Sequence, residues 1–547
     1  MQTEKSLYNP FAHDYQLLIK NILLSPIGNN PEQKIIYKNE KSFTYTKLKE
    51  RICKLANLLT QMGIKRGDTV AVMDYDSHRY LELYFAVPMI GAVLHTVNIR
   101  LSPEQILYTI DHAQDDIIFV HNDFLPLLEQ IRGRMEVDKL VALSEDGAIE
   151  QNHLEIIGEY EMLLSKQEIY FNFPDFSENT RATTFYTTGT TGMPKGVYFT
   201  HRQLVLHTLG TISTLSSNAS QGNFNQNDVY MPITPMFHVH AWGLPYVATM
   251  LGVKQVYPGR YIPDLLLELI ETHGITFSHC VPTILHMLFN SPKIDTMDLS
   301  RWKVIIGGSA LSKTLCMEGL KRKIDIFTGY GMSETCPILS LAQLTPEMLT
   351  LSDDKQSDIR IKTGRPMGLV ELRVVDEMMR DVPKDSSTTG EVVVRSPWLT
   401  QGYFKDEKNS QLLWADGYLH TSDVAHMDEK GYLKIVDRTK DIIKVGGEWV
   451  SSLELEDIIA RHPLVKEVAV IGVRDEKWGE RPMALVVANA LHVSEESERS
   501  ILIHAKEFIK KGIMARESML VKIRFVEAID KTSVGKIDKK TLRQKYA

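Results

Sequence analysis

Residues 186–197 read Tyr186-Thr187-Thr188-Gly189-Thr190-Thr191-Gly192-Met193-Pro194-Lys195-Gly196-Val197. Small residues and glycines let a backbone wrap closely around a ligand. Successive backbone N–H groups in such a loop form an anion-binding nest. The threonine hydroxyls add donors and Lys195 adds positive charge, which makes phosphate the natural guest. The segment is not a Walker A loop, which needs Lys-Ser/Thr directly after its second glycine. Alone, it reads either as a phosphate cradle or as a flexible Thr/Gly surface loop.

The chain around it has 547 residues, 43% of them hydrophobic, enough for several domains and a sizeable core. Lys+Arg number 62 and Asp+Glu 69, a net charge of −7 that carries no global signal for nucleic acid or an anionic membrane. Cys53, Cys280, Cys316 and Cys336 form no C-x-x-C pair, so neither a zinc site nor a disulfide framework is expected. Four buried thiols in a reducing compartment are expected instead. Residues 1–10 are polar and lack the apolar stretch of a signal peptide. The longest apolar run, residues 83–94, contains Pro88 and Gly91 and falls short of the roughly 18 residues of a membrane span. The expectation is a soluble, cytoplasmic, multi-domain protein.

From residue 45 onward, helical and strand patterns alternate. Leu48, Ile52, Leu55 and Leu59 recur at helical spacing, with Gly63 as a C-cap. Residues 69–73, 117–120 and 304–306 are short apolar, β-rich runs. This β-α-β order predicts an α/β protein with largely parallel, helix-covered sheets. The texture changes near residue 437, at Asp437-Arg438-Thr439-Lys440-Asp441. Beyond it, Val445-Gly446-Gly447-Glu448-Trp449 reads as a glycine turn, and Ser451 with Glu454 as a capping box. Strands at 468–473 and 484–487 and a helix starting near 499 complete a small α+β domain. The chain thus divides into a large body at 1–437 and a small domain at 438–547, with a charged joint between them suited to a hinge.

Four further segments carry chemistry. Thr328-Gly329-Tyr330-Gly331-Met332-Ser333-Glu334-Thr335 offers an aromatic that can stack on a base and a carboxylate that can hold Mg²⁺. Gly417-Tyr418-Leu419-His420-Thr421-Ser422-Asp423 ends in an acid suited to the two hydroxyls of a ribose. The third is the joint itself. The fourth is Lys531-Thr532-Ser533-Val534-Gly535-Lys536-Ile537-Asp538. Each alone has a plain structural reading: a tight turn, a solvated Asp, a surface Lys.

Together, in this order and at this spread, the five motifs resemble the ATP-dependent adenylate-forming superfamily of acyl-CoA synthetases, luciferases and peptide-synthetase adenylation domains. The resemblance covers nearly the whole chain. It implies two half-reactions. A carboxylate attacks the α-phosphate of ATP to give acyl-AMP and pyrophosphate, and the thiol of coenzyme A then attacks the acyl carbon.

The resemblance also implies roles. Residues 187–195, with Thr188, Gly189, Thr190 and Thr191, would hold the pyrophosphate portion with Lys195. Thr187 and Glu334 would sit around Mg²⁺. Tyr330 would stack on adenine opposite the Gly308-Ser309-Ala310 backbone, in a turn completed by Gly329, Gly331 and Met332. Ser333 would meet the α-phosphate, and Asp423 and Arg438 the ribose. Lys536 would bridge the incoming carboxylate and the α-phosphate. Lys440 would be the hinge about which the small domain turns between half-reactions. Gly447 would then pass the pantetheine arm of CoA, with Lys444 and Trp449 flanking that turn.

In Pro235-Met236-Phe237-His238-Val239-His240-Ala241-Trp242, His238 matches a position near the acyl-AMP carbonyl, and His240 reads as structural. Trp242 resembles the tryptophan that gates the fatty acyl tunnel of long- and medium-chain synthetases. Trp398 and Tyr403 resemble another family segment, and Trp398 is carried as a substrate contact. No Asp or Lys in the pocket segments suits an amino acid's charged groups. The texture at residues 198–202 and 241–245 resembles medium-chain acyl-CoA ligases and methylmercaptopropionate-CoA ligases. A medium- to long-chain fatty acid is therefore the expected substrate. The alternatives are a short substituted acid such as methylmercaptopropionate, a fatty acyl-AMP ligase loading a carrier protein, a luciferase-like oxidase, and a non-catalytic nucleotide-binding scaffold. A homodimer through the N-terminal region is what the resemblance suggests for assembly.

Overall fold

Thr69–Met73 is buried at all five positions, the pattern of a strand in a sheet covered on both faces. In the computed structural model, which describes residues 11–187, 193–446, 448–489, 493–510, 516–532 and 536–547, it lies at the centre of a seven-stranded sheet. The spatial order is Ile156–Glu159, Leu140–Leu143, Asp115–His121, Thr69–Met73, Val93–Thr96, Arg181–Thr187, Lys195–Thr200. All neighbours are parallel except the last pair, an antiparallel hairpin with Thr187 opposite Lys195. Thr188, Gly189, Thr190 and Thr191, between those two residues, lie outside the described residues, as does Gly447.

A nine-stranded sheet forms the second layer. Its parallel spine runs Lys34–Tyr37, Lys254–Tyr257, Val229–Ile233, Phe277–Cys280, Lys303–Ile306, Asp325–Gly331. Antiparallel strands close both edges: Lys41–Thr44 at one, Ile338–Leu341 and Arg365–Pro366 at the other. A third, antiparallel sheet contains Gly390–Arg395, Tyr418–Met427 and Leu433–Arg438, and its register sets Asp423 directly opposite Arg438.

Local chemistry explains the helix ends. Thr44 caps the helix Tyr45–Gln61 by accepting the Lys47 N–H, and the expected Leu48, Ile52, Leu55 and Leu59 are all buried. At the other end Gly63 (φ +85°) and Ile64 donate to the carbonyls of Thr60 and Leu59, both at 3.0 Å, a Schellman closure. The apolar run at 83–94 divides between the helix His78–Met89, buried at every position, and the strand Val93–Thr96. Among the described residues no helix is long and apolar enough to cross a membrane. All four cysteines are buried free thiols.

The C-terminal sheet pairs Val465–Asp475 with Gly479–Ala488, adds the hairpin Ile443–Val445 and Glu448–Val450, and takes Lys522–Phe525 in parallel. Its two apolar clusters draw only on residues from Ile443 onward, so this small domain has its own core. The strand Leu433–Arg438 runs one residue past the boundary expected at 437. The expected capping box is half formed. Ser451 accepts the Glu454 N–H, but the Glu454 carboxylate turns to Lys434 at 3.0 Å, because an ion pair with the large body competes for it. The helix expected near 499 begins at Glu495.

Candidate active site

Parallel strands put their carboxyl ends on one edge of a sheet, and ligands bind outside that edge. Here that edge carries residues 235–242 after Val229–Ile233, residues 307–310 after Lys303–Ile306, and Ser333–Thr335 after Asp325–Gly331. The sheet topology therefore gathers segments that are up to about a hundred positions apart.

Two polar clusters line this edge. In the first, Glu334 is buried and its Oε1 accepts the Tyr403 hydroxyl at 2.8 Å. Lys195 Nζ lies 4.7 Å from the centre of the Tyr403 ring. Thr187 Oγ1 faces the Lys195 carbonyl at 3.5 Å. Among the described residues Glu334 Oε2 receives no hydrogen bond, and a hydroxyl stands across the hairpin. In the second cluster, Tyr330 donates to Asp423 Oδ2 at 2.7 Å, and Arg438 Nε donates to Asp423 Oδ1 at 3.2 Å. Burial, and then Asp423, hold the Tyr330 phenol well above its usual range, so it stays a donor. Asp423, in turn, raises Arg438.

Lys536 arrives from the small domain. Burial pushes its ammonium down to about 8, Arg438 adds to the shift, and Asp423 and Glu334 oppose it. His238 is pushed down to about 3, mainly by burial and then by Lys536 and Arg100, so its imidazole is neutral. Gly308 adopts φ +80°, and a Cβ there would stand 3.5 Å from Lys536 Cε. A Cβ on Gly307 would stand 2.8 Å from Trp242 Cη2, so the indole lies directly on that glycine. Ser309 and Ala310 are exposed beside it. Gly329, Gly331, Met332 and Ser333 are half-buried on the same edge.

The 235–242 segment is pinned from the other sheet. Met236 N–H donates to Asp76 Oδ1 at 2.8 Å, Tyr84 donates to the Met236 carbonyl, and Thr96 donates to the Phe237 carbonyl at 3.0 Å. Val239, His240, Ala241 and Trp242 then take left-handed φ values of 47°, 55°, 47° and 59°. This unusual turn swings the His240 ring among Tyr84, Phe185 and Phe199, with neither ring nitrogen bonded.

Other expected residues lie elsewhere. Trp398 is fully buried, T-shaped against His207 and pressed on Gly210, where a Cβ would lie 2.7 Å from it. Its place in the core comes from that glycine's missing side chain. Lys440 is exposed on the stretch after Arg438. Lys444 is exposed on a hairpin whose Gly446 (φ +62°) packs on Trp478 within the small domain. The Trp449 side chain is outside the described set. The pinning residues Asp76, Tyr84 and Thr96, and the bond from Tyr403 to Glu334, carry no local sequence signal.

The family model described as "AMP-binding enzyme" matches residues 27–404, and "AMP-binding enzyme C-terminal domain" matches 454–536. A long-chain-fatty-acid–CoA ligase of Thermus thermophilus is 39% identical over 92% of this chain and 90% of its own. A 3-methylmercaptopropionyl-CoA ligase of Ruegeria pomeroyi is 37% identical over 90% of each. The crystal structure of an anthranilate CoA ligase with anthranoyl-AMP superposes with a TM-score of 0.83 at 24% identity, covering 97% of this chain and 98% of that one, a likeness of fold. The chain belongs to the family of AMP-binding enzymes.

Proposed function

We propose that this chain is an ATP-dependent acyl-CoA synthetase: it joins a carboxylic acid to AMP with release of pyrophosphate, then passes the acyl group to the thiol of CoA with release of AMP. The observation that carries this reading is Lys536, which comes from the small domain and reaches Gly308 of the large body, where an added Cβ would stand 3.5 Å from its Cε, and whose charge feels Arg438, Asp423 and Glu334.

Adenylation brings a carboxylate to a triphosphate. The barrier is repulsion between anions, so placed positive charge matters more than a base. The Lys536 ammonium offsets that repulsion where the carboxylate oxygen bonds to the α-phosphorus and the bond to pyrophosphate breaks. Lys195 and the hairpin at Thr187 hold the leaving pyrophosphate. Tyr330 packs on adenine, with its hydroxyl fixed to Asp423. Asp423 and Arg438 orient the ribose, and Ser333 meets the α-phosphate. Neutral His238 sits by the acyl carbonyl without adding charge, and Trp242 borders the acid's tail.

Glu334 Oε2 and the Thr187 hydroxyl suit Mg²⁺, which keeps few protein oxygens and takes the rest from phosphates and water. Bound there, the ion would neutralise charge developing on the pyrophosphate. Among the described residues no group of three or more His, Cys, Asp or Glu side chains could hold a metal ion.

The small domain is read as mobile about Lys440. A turn there would withdraw Lys536 and present Gly446 and Gly447 to CoA, with Lys444 and Trp449 alongside. A fatty acid is the proposed substrate, supported by the Thermus relative and the apolar neighbourhood of Trp242. A short thioether acid is the second reading, supported by the Ruegeria relative. Pyrophosphate release over straight-chain acids from acetate to palmitate, with methylthio-acids alongside and with and without CoA, separates them. Activity peaking at medium to long chains is expected. Zero across the fatty acids, with turnover of methylmercaptopropionate, would overturn the first reading. Free acyl-AMP accumulating without CoA consumption would point to a carrier-protein acceptor.

A further inference from the structure

A buried polar chain joins the large body to the segment that carries Lys536. Asp437, 1% exposed, lies in the body's strand Leu433–Arg438. Its Oδ1 accepts the Arg438 N–H at 2.8 Å. Its Oδ2 accepts both the N–H and the hydroxyl of Ser452, at 2.8 and 2.5 Å. Ser452 opens the helix Ser452–Ala460 of the small domain, and its Oγ accepts a bond from Lys539 Nζ. Lys539 opens the terminal helix Lys539–Tyr546, three residues beyond Lys536, and pairs with Glu456 Oε1 at 2.8 Å. That same oxygen accepts the Val470 N–H at 2.7 Å from the strand Val465–Asp475 of the small domain. The Ser451 hydroxyl adds a bond to the Val436 carbonyl at 2.6 Å.

The direction of this chain is fixed by chemistry. Lysine only donates, a carboxylate only accepts, and Ser452 does one of each. A charged donor therefore reaches a charged acceptor through a single hydroxyl, the strong class of hydrogen bond. Lys539, Ser452 and Glu456 move together as parts of one core, whereas Asp437 belongs to the other body. Rotation of the small domain about residues 439–442 would take Ser452 away from Asp437 and leave the Lys539–Glu456 pair intact.

We infer that Lys539, acting through Ser452 on Asp437, is a positioning relay that holds Lys536 in the site for adenylation and is released for the thioester step. This rests on the role given to Lys536 above. The test uses the full chain and assays the two half-reactions separately: pyrophosphate release from acid and ATP, and CoA ester formation from supplied acyl-AMP. Lys539→Met and Ser452→Ala are expected to lower kcat for pyrophosphate release at least tenfold. The KM for ATP and the second half-reaction should stay within twofold. Lys539→Arg, which can still reach both partners, should recover most of the loss. Ser452→Ala removes one buried oxygen and carries the test if Lys539→Met does not fold. Equal loss of both half-reactions in Ser452→Ala, or no loss in either, overturns the relay, provided Lys536→Ala loses only adenylation. If Lys536→Ala itself loses both equally, the fault lies in the role given to Lys536.

Discussion

Lys536 shows how burial tunes a single charge. An ammonium brought into a partly desolvated site loses part of its preference for protonation, and Arg438 lowers it further, to about 8. Charge neutralisation needs the protonated form, present below that value and lost above it. In the free enzyme, kcat/KM for pyrophosphate release should therefore fall as pH rises through about 8, towards tenfold per unit. The bound carboxylate and triphosphate favour the ammonium, so the kcat limb should lie at higher pH. The thioester half-reaction should lack this limb, and Lys536→Ala should reduce adenylation by about 10²–10³-fold, the cost of removing one transition-state donor. A profile measured by continuous pyrophosphate release that stays flat to pH 9.5 would sink the assignment. The sequence offers Lys536 as a candidate because its segment follows the other four motifs in order. Asp76 is not, because it meets Met236 across 160 positions of chain and looks like any acid after a strand.

Elements were legible where periodicity and capping act locally. The helix Tyr45–Gln61 follows from its apolar spacing and from Gly63, and the buried strands follow from runs such as residues 69–73. The 239–242 turn was not legible, since helical spacing presumes the right-handed form. Left-handed backbone costs L-residues about 1–2 kcal/mol each. The bonds from Asp76, Tyr84 and Thr96, and the seat of Trp242 on Gly307, hold the segment against that cost. Nor does a sequence show where two backbones nearly touch. At Gly331, beside the register shift that follows Tyr330, an added Cβ would fall 1.9 Å from the Pro337 carbonyl oxygen. Gly331→Ala must therefore push apart the strand Asp325–Gly331 and its neighbour Ile338–Leu341, an overpacking worth about 1–3 kcal/mol. Tyr330 should shift off Asp423 with it. A lower denaturant midpoint together with a raised KM for ATP is expected, whereas an unchanged KM would mean that the strand recoils without disturbing the nucleotide site.

At the scale of the molecule, two bodies with separate cores meet at the proposed site. Among the described residues no apolar cluster mixes residues before 436 with residues after 442. The polar links between the bodies include Lys434–Glu454, Asp437–Ser452 and the Lys313 N–H on Asp457 at 3.3 Å. Links of this kind couple the bodies weakly compared with a shared apolar core. The ligand-free enzyme should then unfold in more than one calorimetric step. The small domain, at about 0.7 kcal/mol per residue, would absorb roughly 70 kcal/mol near 60 °C. With Lys536 in place, a non-hydrolysable acyl-adenylate should meet groups from both bodies and so bind the assembled pair more tightly than the large body alone. At about 100 times its Kd it adds roughly 2.7 kcal/mol to that assembly. It should raise the lower transition towards the upper one and sharpen the two into a single step. The same ligand added to Lys536→Ala should raise the upper transition and leave the lower one nearly in place, since the ammonium that would tie the adenylate to the small domain is gone. Differential scanning calorimetry reads both outcomes directly. Equal shifts of both transitions in the variant would mean that the adenylate binds the large body alone and that the small domain follows through the joint.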